Sequence, residues 1–293
     1  MSNIIETYMK FKMNRRAVSP VVAIILMFIL ITAAIGISLA YMMPSISSFK
    51  DKSYNNSNNL YFLTLDSSIQ ELINNPPPIS KEFIFFQEQG EIYYDESWLV
   101  MFLMKEISGD RIHLVMQDNI TRLIHRSTSI ADYERGEHRY LIGPQDQDYV
   151  FINGSSTIYN EIAVLNTSRT IYEPSFLDLA LYYRYVLVID YETIAGTEIY
   201  NIDIIHIKMG FNESAFYNPS RKQLTFQLTY EGTEAEDLGT IDFLTDIYSE
   251  IRISNQFNHV NYENPLYFPV NTNYISHQIR INMISLKVQI SIF

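Results

Sequence analysis

The 293-residue chain contains no cysteine, which excludes disulfide staples, thiolate nucleophiles and Cys-ligated zinc together. Its stability must come from burial of apolar surface. Glycine is scarce, ten residues in all, and none builds a phosphate-cradling loop, a dinucleotide fingerprint or the G-x-S-x-G turn of a serine hydrolase. The six histidines, His113, His125, His138, His206, His259 and His277, lie scattered without paired helical spacing, so they read as strand or surface residues rather than zinc ligands. Asp146-Gln147-Asp148 lacks the glycine and distal glutamate of a calcium loop. Carboxylate pairs such as Asp190 with Glu192 carry no catalytic signature in sequence alone. These absences predict a protein that is not an enzyme and uses no cofactor and no metal.

Positive charge is short as well, with 21 Lys+Arg against 33 Asp+Glu. Six of the basic residues and two of the acidic ones fall in the first 52 positions, leaving 15 against 31 and a net charge of −16 for the rest. An acidic surface of that size repels phosphate backbones, so nucleic acid is not an expected partner, and it keeps an exposed domain soluble.

One feature that is present stands out. Residues 18–43 are 26 consecutive uncharged positions directly after Arg15-Arg16-Ala17. At about 1.5 Å per residue a helix of this length reaches roughly 39 Å, more than a hydrocarbon core of about 30 Å. The run is too long for a secretory signal peptide, and the small residue precedes it instead of following it. Lys10, Lys12, Arg15 and Arg16 stand before the run, while Lys50, Asp51 and Lys52 follow it. The positive-inside bias therefore places the N-terminus in the cytoplasm and the C-terminal part outside. Met13 is an alternative start that leaves a minimal basic leader.

The segment Arg15-Arg16-Ala17-Val18-Ser19-Pro20-Val21-Val22-Ala23-Ile24-Ile25-Leu26-Met27 resembles the N-terminus of archaeal type IV pilins and their archaellin-like relatives, with a class III signal peptide. The resemblance covers about the first 45 residues. It implies cleavage by a membrane prepilin peptidase between Ala17 and Val18, with Arg15 and Arg16 as the basic part of the site. Bacterial type IV pilins carry Gly before the cut and Glu at the fifth mature position; this chain has Ala17 and Val22 there, which favours the archaeal form and leaves no Glu for a subunit contact. Ser19 suits an N-cap and Pro20 the first helical position. Thr32, Gly36 and Ala40, with Ala34 and Ser38 beside them, form a small-residue stripe that permits close helix approach. The expected partners are lipid before assembly, the peptidase, and other pilin-like subunits through this helix.

Beyond the apolar run, residues 44–59 are polar and rich in Ser and Asn. Phe62, Leu65, Ile69, Leu72 and Ile73 then recur at helical spacing, ending before Pro76-Pro77-Pro78; the pilin resemblance implies that such a stripe packs on the head's sheet, the alternative being an ordinary short helix after a flexible stalk. From Ile79 onward short β-branched and aromatic runs alternate with turn residues. A four-strand meander is expected from residues 83–87 and 91–95, around Gln89-Gly90, and residues 98–105 and 111–117. Residues 181–189 read as one central strand, 118–149 and 231–237 as exposed loops, and 224–230 and 284–292 as half-buried strands. The aromatic clusters at Tyr182, Tyr183, Tyr185 and Tyr191, and at Phe83, Phe85, Phe86, Tyr93 and Tyr94, are first read as core.

The fold expected is α+β, a long N-terminal hydrophobic helix followed by a mainly antiparallel, sandwich-like β head. Its divisions are a leader (1–17), a membrane or filament-core helix (18–43), a polar stalk with an amphipathic helix (44–78) and one β domain (79–293) that folds alone. Five N-x-[ST] sequons at Asn55, Asn119, Asn153, Asn166 and Asn212 follow the membrane segment and are glycosylation acceptors if exposed. The function expected is a structural subunit of a cell-surface filament, in a minor or adhesin-like role given the large head. The alternative is a membrane-anchored extracellular binding or adhesion domain that does not polymerise.

Overall fold

The computed structural model describes residues 20–75, 80–86, 90–107, 111–130, 133–143, 150–153, 162–172, 174–212, 223–254, 259–262 and 266–293. Two compact units divide the chain, Met1–Ser53 and Tyr54–Phe293. Helix α1 (Pro20–Asn74) contributes to both. It starts at the proline whose fixed φ suits a first turn, and it runs through Pro44, where the proline ring has no N–H for the Ala40 carbonyl. The residues expected to form a polar stalk are therefore helical. From residue 54 the reason is packing: Tyr54, Asn55 and Asn58 join Phe62, Leu65, Ile69 and Leu72 on one buried stripe, and burial of a face outweighs the poor intrinsic propensity of Asn and Ser.

The strands form two antiparallel-rich sheets, as the sequence pattern predicts. The first contains β1 (Ser80–Phe86), β5 (Phe151–Asn153), β8 (Tyr185–Ile194), β9 (Thr197–Phe211), β10 (Gln223–Phe243) and β14 (Ser276–Ile292), in the order β1-β10-β14-β9-β8-β5. The second contains β2 (Glu91–Glu106), β3 (Ile112–Ser127), β4 (His138–Ile142), β6 (Ala163–Arg169), β7 (Leu177–Tyr183), β11 (Ile247–Ser254) and β12 (His259–Tyr262), in the order β12-β11-β2-β3-β7-β6-β4. Strand β13 (Tyr267–Phe268) pairs with β11. The β14–β9 and β5–β8 pairs are parallel.

Several local readings need correction. The 83–87 segment does not form a hairpin with 91–95: β1 pairs with β10 and β2 with β3. Phe83 and Phe85 pack on Phe226 of β10 and on Tyr61 of α1, a long-range aromatic cluster that decides the partner. Gly90 serves close approach instead, because a Cβ there would lie 2.1 Å from the Arg126 carbonyl oxygen. Residues 91–105 are one strand with a bulge between Asp95 and Trp98, although the hairpin with the following strand stands. Residues 181–189 split at Arg184. Tyr183 pairs with Ala163 in one sheet and Tyr185 with Phe151 in the other, so the apolar run is a corner where the chain changes sheets. Part of the expected 118–149 loop is the end of β3, with Ile120, Leu123 and Ile124 buried, and another part is β4. The acidic 231–237 segment lies inside β10, where bulges at Gly232 (φ 121°) and Gly239 (φ 107°) bend the strand.

Two cores occupy opposite faces of the long strands. In β14, Ile279, Ile281 and Met283 enter one core, whereas Leu286, Val288, Ile290 and Ile292 enter the other. Opposite faces of this 17-residue strand are therefore covered in its two halves; at about 3.3 Å per residue it spans roughly 56 Å. Phe62, Leu65, Ile69 and Leu72 of α1 belong to the second group. The Tyr54–Phe293 unit therefore includes the helix end that the sequence reading assigned to a separate segment.

Candidate membrane and helix-packing surface

In the first unit, the apolar stretch of α1 is exposed among the described residues. The most apolar 18-residue window within α1 has a mean hydropathy of 2.8 and none of it is buried. Val22, Ile24, Ile25, Leu26, Phe28, Ile29 and Leu30 are all exposed. Each such side chain gains about 1.5–3 kcal/mol on leaving water, so this surface demands a lipid or protein covering. Length and composition suffice to cross a membrane.

The packing residues Thr32, Ala34, Gly36, Ser38 and Ala40 lie on this exposed stretch. The Thr32 hydroxyl donates to the Phe28 carbonyl at 2.8 Å, which satisfies its proton inside an apolar environment. Apart from the helix's own neighbouring backbone, no atom of the described residues lies within 4 Å of where a Cβ on Gly36 would stand. The processing residues Arg15, Arg16, Ala17 and Val18 lie outside the described residues, as do Ser19 and the Asp146-Gln147-Asp148 segment.

The sequons separate by exposure. Asn55 is only 7% exposed and its Nδ2 donates to the Ser129 carbonyl at 3.1 Å, so folding hides it, a correction to its place among surface acceptors. The helix stripe that buries Tyr54 and Asn58 buries Asn55 with them. Asn119 and Asn212 are exposed and Asn166 is half-buried. Asn153 closes β5, its side chain undescribed.

The second half of α1 carries a carboxylate into the β unit. Asp66 is 4% exposed and accepts from the Tyr183 hydroxyl at 2.8 Å and from Gln70 Nε2 at 2.9 Å. Burial pushes its carboxyl above the usual range, against the lowering effect of those two hydrogen bonds. Burial and the nearby Asp66 together raise the Tyr183 phenol well above its ordinary value. Sequence reading missed this pair; the signal was an acidic residue lodged in the stripe Phe62, Leu65, Ile69 and Leu72.

A second polar group lies around the half-buried Asp118, which accepts from Tyr185 Oη at 3.1 Å and from Lys208 Nζ at 3.0 Å. His206 stacks on Tyr185 with ring centroids 4.1 Å apart. Burial lowers its pKa to about 4, only partly opposed by Asp118. His125 meets the Tyr54 hydroxyl at 3.4 Å, and His277 Nε2 lies 3.2 Å from Glu198. Tyr182, Tyr183 and Tyr185 are core residues, whereas Tyr191 is exposed. Among the described residues no three His, Asp or Glu side chains gather at metal-binding geometry. These clusters tie the elements of the β unit together, and the apolar stretch of α1 is a long exposed hydrophobic surface. No protein-family model, curated protein or solved structure matches this chain.

Proposed function

We propose that this chain is a type IV pilin-like structural subunit of an archaeal cell-surface filament, in a minor or adhesin-like role. Prepilin peptidase removes the leader after Ala17, the N-terminus faces the cytoplasm until assembly, and the β unit stands outside. The observation that carries the reading is the exposed apolar half of α1, placed directly behind Arg15-Arg16-Ala17 and bearing the Thr32, Gly36, Ala40 stripe. A filament exchanges the lipid around that surface for neighbouring helices without exposing it to water.

Gly36→Leu tests the proposal. Among the described residues nothing outside the helix's own backbone lies within 4 Å of the added Cβ, and Leu is the better helix former by up to about 1 kcal/mol. The variant should insert and be processed as wild type, yet lose sheared filaments by at least about tenfold on immunoblot, because the added volume blocks close helix approach. Equal release from both, or no release from wild type, supports the alternative of an anchored domain that does not polymerise.

A further inference from the structure

Six large side chains, Ile107, Tyr191, Ile194, Leu244, Tyr267 and Ile275, stand exposed at one end of the β unit. They come from four connections: Ile107 follows β2, Tyr191 and Ile194 close β8 before the Ala195-Gly196 turn, Leu244 follows β10, and Tyr267 and Ile275 lie between β12 and β14. The fold joins them into one surface. The Ile107 amide donates to the Asp246 carbonyl at 2.9 Å, and the Asp246 carboxylate accepts from the Tyr267 hydroxyl at 2.5 Å. Phe268 packs on Tyr200, and Tyr200 on Tyr191, at 5.1 and 5.7 Å between rings. Tyr191 Oη donates to Tyr274 Oη at 2.9 Å, and the Ile275 amide donates to the Gly196 carbonyl at 2.9 Å.

This crown lies at the Ser276 end of β14, whereas α1 packs with Leu286, Val288, Ile290 and Ile292 near the other end. The separation is roughly 45 Å along the strand. Leu244 and Ile275 protrude furthest, 81% and 87% exposed.

Charge and form select the partner. Glu192 is paired with Arg280 at 3.3 Å, and Asp246 is satisfied by Tyr267 and by the Val270 amide at 2.7 Å. Lys105 is likewise paired with Glu250, and Asp242 accepts from Gln278 Nε2 at 2.8 Å. With residues 53–293 at net −16, an anionic membrane is repelled, and two crowns brought face to face would set like charge against like. Aliphatic prongs from separate turns, with tyrosines among them, suit the apolar-to-polar gradient of a bilayer interface and need no shape-matched groove. We propose that the crown docks onto a neutral or zwitterionic lipid surface, inserting Ile194, Leu244 and Ile275 at headgroup depth. This goes beyond the filament reading and holds for either an anchored or an assembled subunit.

The full chain, reconstituted through α1 into phosphatidylcholine vesicles, should tether dye-labelled, protein-free phosphatidylcholine vesicles, read by energy transfer between the two dyes. Tethering should persist in high salt and fall by at least about tenfold in the triple variant Ile194→Ser, Leu244→Ser, Ile275→Ser, three apolar side chains being lost from the contact. A melting temperature unchanged from wild type would show that these exposed substitutions leave the fold intact. The proposal is overturned if wild type tethers nothing, if the triple variant tethers equally, or if only anionic acceptors are captured. Clustering of protein-bearing vesicles alone overturns it in favour of contact between two copies.

Discussion

Two buried ionisable residues give the β unit opposite acid responses. His206 stays neutral down to about pH 4 in the folded chain because burial disfavours its cation, whereas the unfolded chain takes the proton near pH 6.5. Stability therefore falls as pH drops from about 6.5 to 4, by up to about 3 kcal/mol. Asp66 acts the other way. Its native pKa is raised by burial, so the cost of its charge is present above that pKa and is relieved as pH falls towards the unfolded value. Denaturant titrations across this range should show a smaller acid loss in His206→Phe than in wild type, and a larger one in Asp66→Asn. Identical slopes in all three would place the titrating groups elsewhere. In sequence, His206 read as a strand histidine, which it is; its burial against Tyr185 depends on β8 and β9 pairing, a contact that residue spacing does not reveal.

At the scale of elements, what was legible followed local period and what was missed followed tertiary context. The apolar run, its start at Pro20, and the alternation in β14 and the first part of β10 depend on near neighbours. The β2–β3 hairpin does too. By contrast, the pairing of β1 with β10 joins residues more than a hundred positions apart, and the sheet change at Arg184 hides inside an unbroken apolar run. The acidic segment in β10 looks like a turn because its outward residues are charged and its glycines serve bulges. The helix end reads as its own segment because proline residues follow it, although the resemblance implies that its stripe packs on the head's sheet, where Phe62, Leu65, Ile69 and Leu72 are found buried. Packing now argues against a β domain that begins at Ile79 and folds alone. Such a truncation removes Phe62, Leu65, Ile69 and Leu72 from the core, each worth about 1.5–3 kcal/mol of burial, a sum comparable to a whole domain's stability. A fragment beginning at Tyr54 should give a cooperative thermal transition, while one beginning at Ile79 should show broad melting and bind a hydrophobic dye. Equal melting of both would mean that the helix end contributes little.

For the whole molecule, labour divides along α1: one half is apolar and exposed, and the stripe of the other completes the core of a large acidic β unit. Under the proposed function, cleavage between Ala17 and Val18 would leave this whole helix on the mature protein. The most direct measurement is intact-mass and N-terminal peptide mass spectrometry of protein isolated from the native membrane or surface fraction. The account predicts a mature chain beginning at Val18 and retaining residues 18–43, with Arg15→Glu/Arg16→Glu leaving the leader attached. A mature protein that still begins at Met1 or Met13, or that has lost residues 18–43, contradicts it.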